Sequence, residues 1–79
     1  MHYVYILKSE NTPNYYVGAT CDLRQRIKDH NEGKQRFTSP HRPWTLAWYA
    51  AFPSKAKAMA FETYLKSGSG HAFRSRHLI

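Results

Sequence analysis

Two closely spaced segments near the start of the chain limit its fold more than any other feature. Residues 2–8 and 15–20 are both rich in aromatic and β-branched side chains, a composition that is typical of strands. The six residues between them include Pro13 and are otherwise polar, which favours a tight connection. We therefore expect an antiparallel hairpin, in which Tyr5 points to one side of the sheet and Ile6 to the other.

A helix is predicted to begin directly after the hairpin. Asp22 can cap its first free N–H groups, and Gln25, three residues later, would complete a capping box. The apolar spacing extends this helix to about His30. Gly33 would then end it, because glycine readily adopts the backbone conformation that closes a helix.

The second half of the chain repeats the change from strand to helix. Residues 34–43 contain two prolines and no acid, which indicates an irregular loop. Residues 44–52 are rich in aromatics and predict a third strand, and Ser54 would cap a second helix over residues 55–66. The Ser-Gly-Ser-Gly sequence that follows is expected to break this helix and leave a short basic segment.

This order of elements predicts the fold class. It is an α+β fold of the type β-β-α-β-α, a three-stranded antiparallel sheet flanked by helices, with room for a short C-terminal helix. No internal repeat or long linker divides the chain, so residues 1–79 are predicted to form a single domain.

The composition indicates the kind of partner. Twelve Lys and Arg against five Asp and Glu give a net charge of +7, which favours a polyanion such as nucleic acid, although a basic domain without such a partner is the alternative. No apolar run reaches the roughly 20 residues of a membrane span, so no membrane partner is expected. No signal peptide is recognised and Cys21 is the only cysteine, so a cytoplasmic location is expected.

Among the acidic residues, Glu62 is the candidate metal ligand. It lies in the middle of the second predicted helix beside Phe61, where a solvated carboxylate is less expected. A two-metal nuclease needs clustered carboxylates, which this chain hardly supplies. One carboxylate can still place a magnesium ion with the help of water and a substrate phosphate. The alternative is an ordinary helix-surface pair between Glu62 and Lys66.

Four further side chains are candidates for phosphate chemistry. Arg26 and His30 share one face of the first helix, where Arg26 could brace a phosphate and His30 could relay a proton or bind phosphate. Tyr5 and Tyr16 lie on neighbouring predicted strands, and a tyrosine becomes a base only where cations or a metal lower its pKa. A solvated helix face and cross-strand aromatic packing are the alternatives.

Taken together, these residues resemble the GIY-YIG nuclease family. The matching positions are Tyr3-Val4-Tyr5, Tyr16-Val17-Gly18, residues 22–26, His30 and the helix that carries Glu62. The resemblance covers essentially the whole chain and is greatest to the small standalone bacterial members. The superfamily also includes the incision nuclease of bacterial excision repair, homing endonucleases and some restriction enzymes. The resemblance implies that this protein is an endonuclease that hydrolyses DNA phosphodiester bonds with one Mg²⁺ or Mn²⁺, in DNA repair or processing.

The resemblance also implies a role for each site residue. By this resemblance, the family's catalytic positions correspond to five residues here: Tyr5, Tyr16, Arg26, His30 and Glu62. Of these, Glu62 corresponds to the sole metal ligand. In family mechanisms a tyrosine, alone or assisted by a histidine, activates water, the arginine stabilises the phosphate, and the metal supports the leaving oxygen. We favour Tyr5 as the base, with Tyr16 orienting water or phosphate.

The sequence departs from the family pattern in two places. Tyr3 stands where the name motif has glycine, and the stretch after the Glu62 helix has no asparagine. Either Ser69 or His71 could replace that asparagine, or the grip on phosphate is weaker. Further substrate contacts are expected at Gly18, where a ligand could approach the backbone closely, and at Lys34, Arg36, Arg42, Arg74 and Arg76.

Two other functions remain open from the sequence. One is a non-catalytic module on the same fold that binds DNA, or RNA, without turnover. The other is a protein-interaction domain that uses Trp44, Trp48 and Phe52. For the nuclease, DNA is the expected substrate, RNA is the alternative, and a protein partner could supply targeting.

Overall fold

A computed structural model describes all 79 residues and shows an antiparallel sheet between two layers of helices. The strands are β1 (His2–Ser9), β2 (Tyr15–Thr20) and β3 (Trp44–Phe52), in the spatial order β2-β1-β3. The helices are α1 (Leu23–Asn31), α2 (Lys55–Lys66) and α3 (Gly68–His77). The predicted α+β class and the hairpin are confirmed. None of the helices combines the length and apolar character needed to cross a membrane.

The central strand β1 sends its side chains alternately into two small cores, one on each face of the sheet. One core, beneath α2 and α3, consists of Val4, Ile6, Val17, Ala58 and Leu65. The other, covered by α1, consists of Tyr5, Leu7 and Trp44, with Leu23 and Ile27 packed against it. Since α1 and α2 cover opposite faces, their side chains can meet only at an edge of the sheet.

The helix caps follow the prediction with one exception. Asp22 accepts a hydrogen bond from the Gln25 backbone N–H (3.1 Å), and the Ser54 side chain caps α2 in the same way. The Gln25 side chain, however, donates to Asp29 Oδ1 (2.8 Å) and does not reach back to Asp22. The predicted capping box is therefore wrong in its second half, because Thr20 Oγ1 accepts from the Asp22 N–H (3.0 Å).

The loop between α1 and β3 is more ordered than its composition suggests. Gly33 has a φ of 79°, the left-handed conformation expected where α1 ends. Residues Ser39–His41 form one short 3₁₀ turn, so the prediction of a wholly irregular loop is wrong there. The Asn31 side chain also holds the far end of the loop, accepting from the Trp44 N–H (2.6 Å) and donating to the Trp44 carbonyl (3.0 Å).

The C-terminal helix α3 is the largest difference from the sequence prediction. The Ser-Gly-Ser-Gly sequence does end α2, yet only Ser67 separates α2 from the ten residues of α3. The Ser67 hydroxyl accepts from the Gly70 N–H (3.1 Å) and caps α3. The expected break is thus a sharp corner, and the corner is stabilised because Gly70 packs directly against the backbone of α2.

Gly70→Ala is expected to lower the free energy of unfolding by about 1–3 kcal/mol, the usual cost of overpacking. An added methyl group would overlap the carbonyl of Tyr64 and the Leu65 backbone, which cannot move without shifting α2. The matched control is Gly68→Ala in the same helical turn, where a methyl group meets nothing within 4 Å. Urea unfolding should leave the control at least as stable as the wild type, and equal stability of both variants would contradict the packing argument.

Candidate active site

A buried chain of three hydrogen-bonded side chains lies between β1, α1 and the following loop. Tyr5 and His30 are both 0% exposed, and the Tyr5 hydroxyl lies 3.0 Å from His30 Nε2. On the other side of the imidazole, Nδ1 lies 2.8 Å from Oγ1 of the buried Thr38. Thr38 in turn can donate to the Gln35 carbonyl, at 3.4 Å. Every polar atom of the His30 ring therefore has a protein partner.

The partners fix how protons are arranged along this chain. Because Thr38 donates to a carbonyl, its oxygen accepts from His30 Nδ1–H, which leaves Nε2 to accept from the Tyr5 hydroxyl. Burial, assisted by the Arg26 charge, lowers the pKa of His30. Burial, assisted by Tyr16, raises the pKa of Tyr5, and Arg26 only partly opposes this. The resting pair is thus a neutral phenol and a neutral imidazole, the latter positioned to receive the phenol proton.

The lowered pKa of His30 predicts that acid destabilises the protein. The unfolded state binds a proton near the ordinary pKa of 6.5, whereas the folded state does so only at lower pH. Stability contributed by neutral His30 is therefore present above about pH 6.5 and is lost as pH falls from there through the folded pKa. We expect the urea midpoint to fall between about pH 7.5 and pH 5.5, and His30→Gln to lose this dependence. A midpoint that is flat in the wild type would contradict the burial of a neutral imidazole.

The second phenol, Tyr16, lies beside the hydrogen-bonded side chains of Tyr5 and His30, and it is more exposed than either of them. Its ring centre is 4.8 Å from that of His30 and 6.3 Å from that of Tyr5. Gly18 lies opposite Tyr5 on β2, and a side chain there would collide with the Tyr5 ring. The structure shows that Tyr5 approaches Gly18 closely, which gives Gly18 a packing role, and the substrate contact at Gly18 stays a prediction.

Arg26 and Glu62 meet at the edge of the sheet, although they come from helices on opposite faces. Both line one open pocket of about 300 Å³, together with Thr20 and Cys21 at the end of β2. The same two charges act on the phenol behind the pocket, since the pKa of Tyr5 is lowered by Arg26 and raised by Glu62. All five predicted catalytic residues therefore lie in one neighbourhood, which we call the edge site: Tyr5, Tyr16, Arg26, His30 and Glu62.

The Glu62 carboxylate already attracts a cation from its own helix. Lys66 Nζ lies 3.0 Å from Glu62 Oε2 and 5.8 Å from the centre of the Tyr16 ring. The surface pair considered from the sequence is therefore present. The side chain of Glu62 is only 21% exposed, however, and it faces the edge-site pocket, which contains no other acid.

The donor set fits one type of metal binding and excludes another. No group of three or more His, Cys, Asp or Glu side chains could enclose a metal ion. A single carboxylate in an open pocket suits a magnesium-like ion that keeps most of its waters and takes substrate oxygens as further ligands. Glu62 is the residue that would hold such an ion, and Lys66 would have to turn away from it.

The predicted phosphate-binding residues divide into two groups. Lys34 is tied to Asp29 (3.4 Å) and Glu32 (3.3 Å), and these acids raise its pKa. Arg42 donates through Nε to the Ser39 carbonyl (2.8 Å) and packs against Gly33. Neither of these residues lines the edge-site pocket. Arg36 and Arg74 line a second groove beside Tyr16. The remaining three predicted residues are exposed on α3: Ser69, His71 and Arg76.

Sequence reasoning missed some residues around the site and misplaced others. Thr38, which orients His30, carries no motif and is brought there by the loop. The proposed aromatic interaction surface is wrong, because Trp44 is buried and donates its ring N–H to the Thr38 carbonyl (2.8 Å). The other two aromatics of that surface, Trp48 and Phe52, pack against Phe61 of α2. His30 is likewise too deeply buried to bind phosphate directly, so of its two predicted roles only proton relay fits.

Comparison with known proteins gives a consistent family. Residues 1–74 match the family described as the GIY-YIG catalytic domain. The UPF0213 protein YazA of Bacillus subtilis is 38% identical over 66 residues, which are 82% of this chain and 66% of YazA. The UPF0213 protein BH0048 of Halalkalibacterium halodurans is 42% identical over 66 residues, or 82% of this chain and 69% of that protein.

A solved structure has the same fold. The solution NMR structure of the UPF0213 protein BH0048 from Bacillus halodurans has a TM-score of 0.58 and 37% identity to this chain, covering 98% of this chain and 85% of that one. This chain spans about two thirds of the length of YazA. Because the family match extends over residues 1–74, the chain belongs to the GIY-YIG catalytic domain family.

Proposed function

We propose that this protein is an endonuclease that hydrolyses phosphodiester bonds in DNA with one divalent cation. One observation carries the proposal. Arg26 and Glu62, from helices on opposite faces of the sheet, line one pocket directly beside the buried Tyr5–His30 pair. A guanidinium, a carboxylate and a proton-accepting pair around one open space are the groups that phosphodiester hydrolysis requires.

In the proposed reaction, a water oxygen attacks phosphorus, the bond to the leaving oxygen breaks, and the leaving oxygen takes up a proton from solvent. Tyr16 orients the water, and the water proton passes to the Tyr5 oxygen while Tyr5 gives its own proton to His30 Nε2. The 3.0 Å hydrogen bond and the neutral imidazole support this transfer. Because Tyr5 is as fully buried as His30, this step requires the side chains between the pocket and Tyr5 to move and admit the water to the phenol oxygen.

The second requirement is to stabilise the negative charge that develops on the phosphate. The planar Arg26 guanidinium can donate two parallel hydrogen bonds to phosphate oxygens as negative charge develops on them. A divalent cation held by Glu62 would supply further positive charge to the same phosphate. GIY-YIG nucleases generally use divalent metal ions, and the single open carboxylate supports that requirement here.

The distribution of charge supports nucleic acid as the substrate. All four salt bridges use lysine, so none of the arginines is neutralised by a carboxylate. Guanidinium groups without acidic partners are available for phosphates, whose binding would weaken as salt rises. We propose DNA repair or processing in the cytoplasm as the setting, with any targeting supplied by a protein partner.

A cleavage panel tests the function directly. Single-stranded, nicked, flapped and duplex DNA, with RNA counterparts, are incubated with Mg²⁺, with Mn²⁺ or with chelator. We expect strand scission of at least one DNA form that chelator abolishes. Binding of these molecules without scission under any metal condition would contradict the nuclease and would favour a non-catalytic binding module.

A further inference from the structure

A second groove adjoins the edge site. It is lined by Tyr16, which belongs to the edge site, and by Lys66, which pairs with Glu62. This feature, which we call the loop groove, has a volume of about 580 Å³, within the range of ligand pockets. One wall is the start of β2, and the other is the loop segment Gln35-Arg36-Phe37. Because Lys66 also bonds to Glu62, this groove adjoins the position proposed for the scissile phosphate.

The charges of the loop groove are all of one sign. Arg36, Lys66 and Arg74 line it, and it contains no acid. The Arg74 guanidinium donates through Nη2 to His71 Nδ1 (2.8 Å), whereas Nε and Nη1 are shielded from solvent and have no acceptor in the protein. A guanidinium with two unpaired, shielded donors is costly, so we expect the Arg74 side chain to turn into the groove and donate to an anionic oxygen there.

An exposed aromatic ring gives the groove a second kind of contact. Phe37 is 87% exposed, the highest exposure among the large apolar side chains, and the ring of Tyr15 on the opposite wall is 40% exposed. The backbone of Phe37 is anchored at this place, because the next residue, Thr38, is fixed in the core by His30. A phenylalanine presented to solvent from an anchored loop, among three cations, is suited to stacking on a flat ligand.

Flat rings joined by phosphates describe a nucleic-acid strand whose bases are unpaired. In a duplex the base faces are already stacked on one another, so Phe37 could reach only the backbone. We propose that the loop groove binds an unpaired nucleotide next to the scissile phosphate, with its base stacked on Phe37 and its phosphate held by Arg36 and Arg74. The inference rests on the proposed nucleic-acid binding at the edge site, and it makes single-stranded or frayed DNA the preferred substrate.

The test measures binding without turnover. Fluorescently labelled oligothymidine and a hairpin duplex of equal length are titrated with Glu62→Gln protein in chelator, with and without Phe37→Ala. We expect Phe37→Ala to weaken single-strand binding by about 5- to 150-fold, the effect of losing one base stack, and duplex binding less than about twofold. The salt dependence should not change, whereas Arg36→Ala should weaken both ligands and reduce the salt slope by about one.

A matched control and a direct signal complete the test. Tyr49→Ala removes another exposed aromatic, on β3 and outside the groove, and should leave both affinities unchanged. A 2-aminopurine in the single strand should be quenched by the protein with Phe37 and not by the protein with alanine there. Equal losses for single strand and duplex, or no loss for either, would overturn the inference. Those outcomes can occur whether or not the wild type cuts DNA, so this failure is separable from failure of the nuclease proposal.

Discussion

Glu62→Gln is expected to lower metal-dependent DNA cleavage by roughly 1,000-fold, because several kcal/mol of charge stabilisation would be lost with the metal. The change replaces a carboxylate oxygen by an amide and removes the only acid that lines the edge-site pocket. It also removes the partly exposed pair with Lys66, which should cost the fold only about 0.3–0.5 kcal/mol. Initial cleavage rates and urea unfolding, measured on the same preparation, separate the two effects.

Glu32→Gln is the matched control for this experiment. Glu32 pairs with Lys28 (3.9 Å) and Lys34 (3.3 Å) at the end of α1, so the same chemical change is made in another lysine pair outside the pocket. The control should cut DNA at the wild-type rate. Undiminished cleavage by Glu62→Gln, or an equal loss in both variants, would show that the metal is held elsewhere or is not needed.

Arg26→Ala is expected to lower cleavage by about 100- to 1,000-fold, the usual effect of removing one donor to an oxygen that gains charge. Arg26 is half-buried beside the Tyr5–His30 pair, and its charge lowers the pKa of both groups. The variant should therefore lose phosphate stabilisation and also hold the Tyr5 proton more firmly. Arg26→Lys keeps the charge but not the planar fork, so it should recover only part of the rate.

Arg24→Ala provides the comparison for Arg26. Arg24 is an exposed residue of the same helix, outside the edge-site pocket, so the change in net charge is identical. It should reduce long-range attraction of DNA slightly and leave the rate at saturating substrate unchanged. Single-turnover rates for both variants at high protein concentration make the comparison. Similar losses of rate in the two variants would show that Arg26 acts through the net charge of the protein, without a specific contact to the phosphate.

Most of the fold follows from local patterns in the sequence. The third strand and the second helix were predicted with the bounds found in the structure, because alternation and the Ser54 cap are both local signals. Helix α3 is expected from the sequence only as a short helix, since glycine normally breaks a helix, whereas Gly70 here serves tertiary packing. Gly70 allows α3 to approach the backbone of α2, and no local pattern contains that information.

The site was less accessible to such reasoning. Periodicity alone gave each candidate a plausible structural explanation, and only the resemblance to a family connected Tyr5 to Glu62 across the chain. The structure brings those residues together, while their catalytic roles stay a prediction. Loop residues were hardest to place: Thr38 contacts His30 only because the loop folds back, and Lys34 is tied to two acids that its own segment does not contain.

The adjacent residues Phe37 and Thr38 mark a boundary within one loop. Thr38 is 1% exposed and hydrogen-bonded to His30 of the proposed proton relay, whereas Phe37 projects into solvent. If the loop groove binds a strand as proposed, substitutions on the outer side of this boundary would change which strand is recognised while the imidazole keeps its orientation. A change in loop length, by contrast, would shift the threonine and disturb the chemistry as well. We therefore expect substrate choice in the proposed nuclease to diverge through point substitutions at the tip of this loop, at little cost to the proposed reaction.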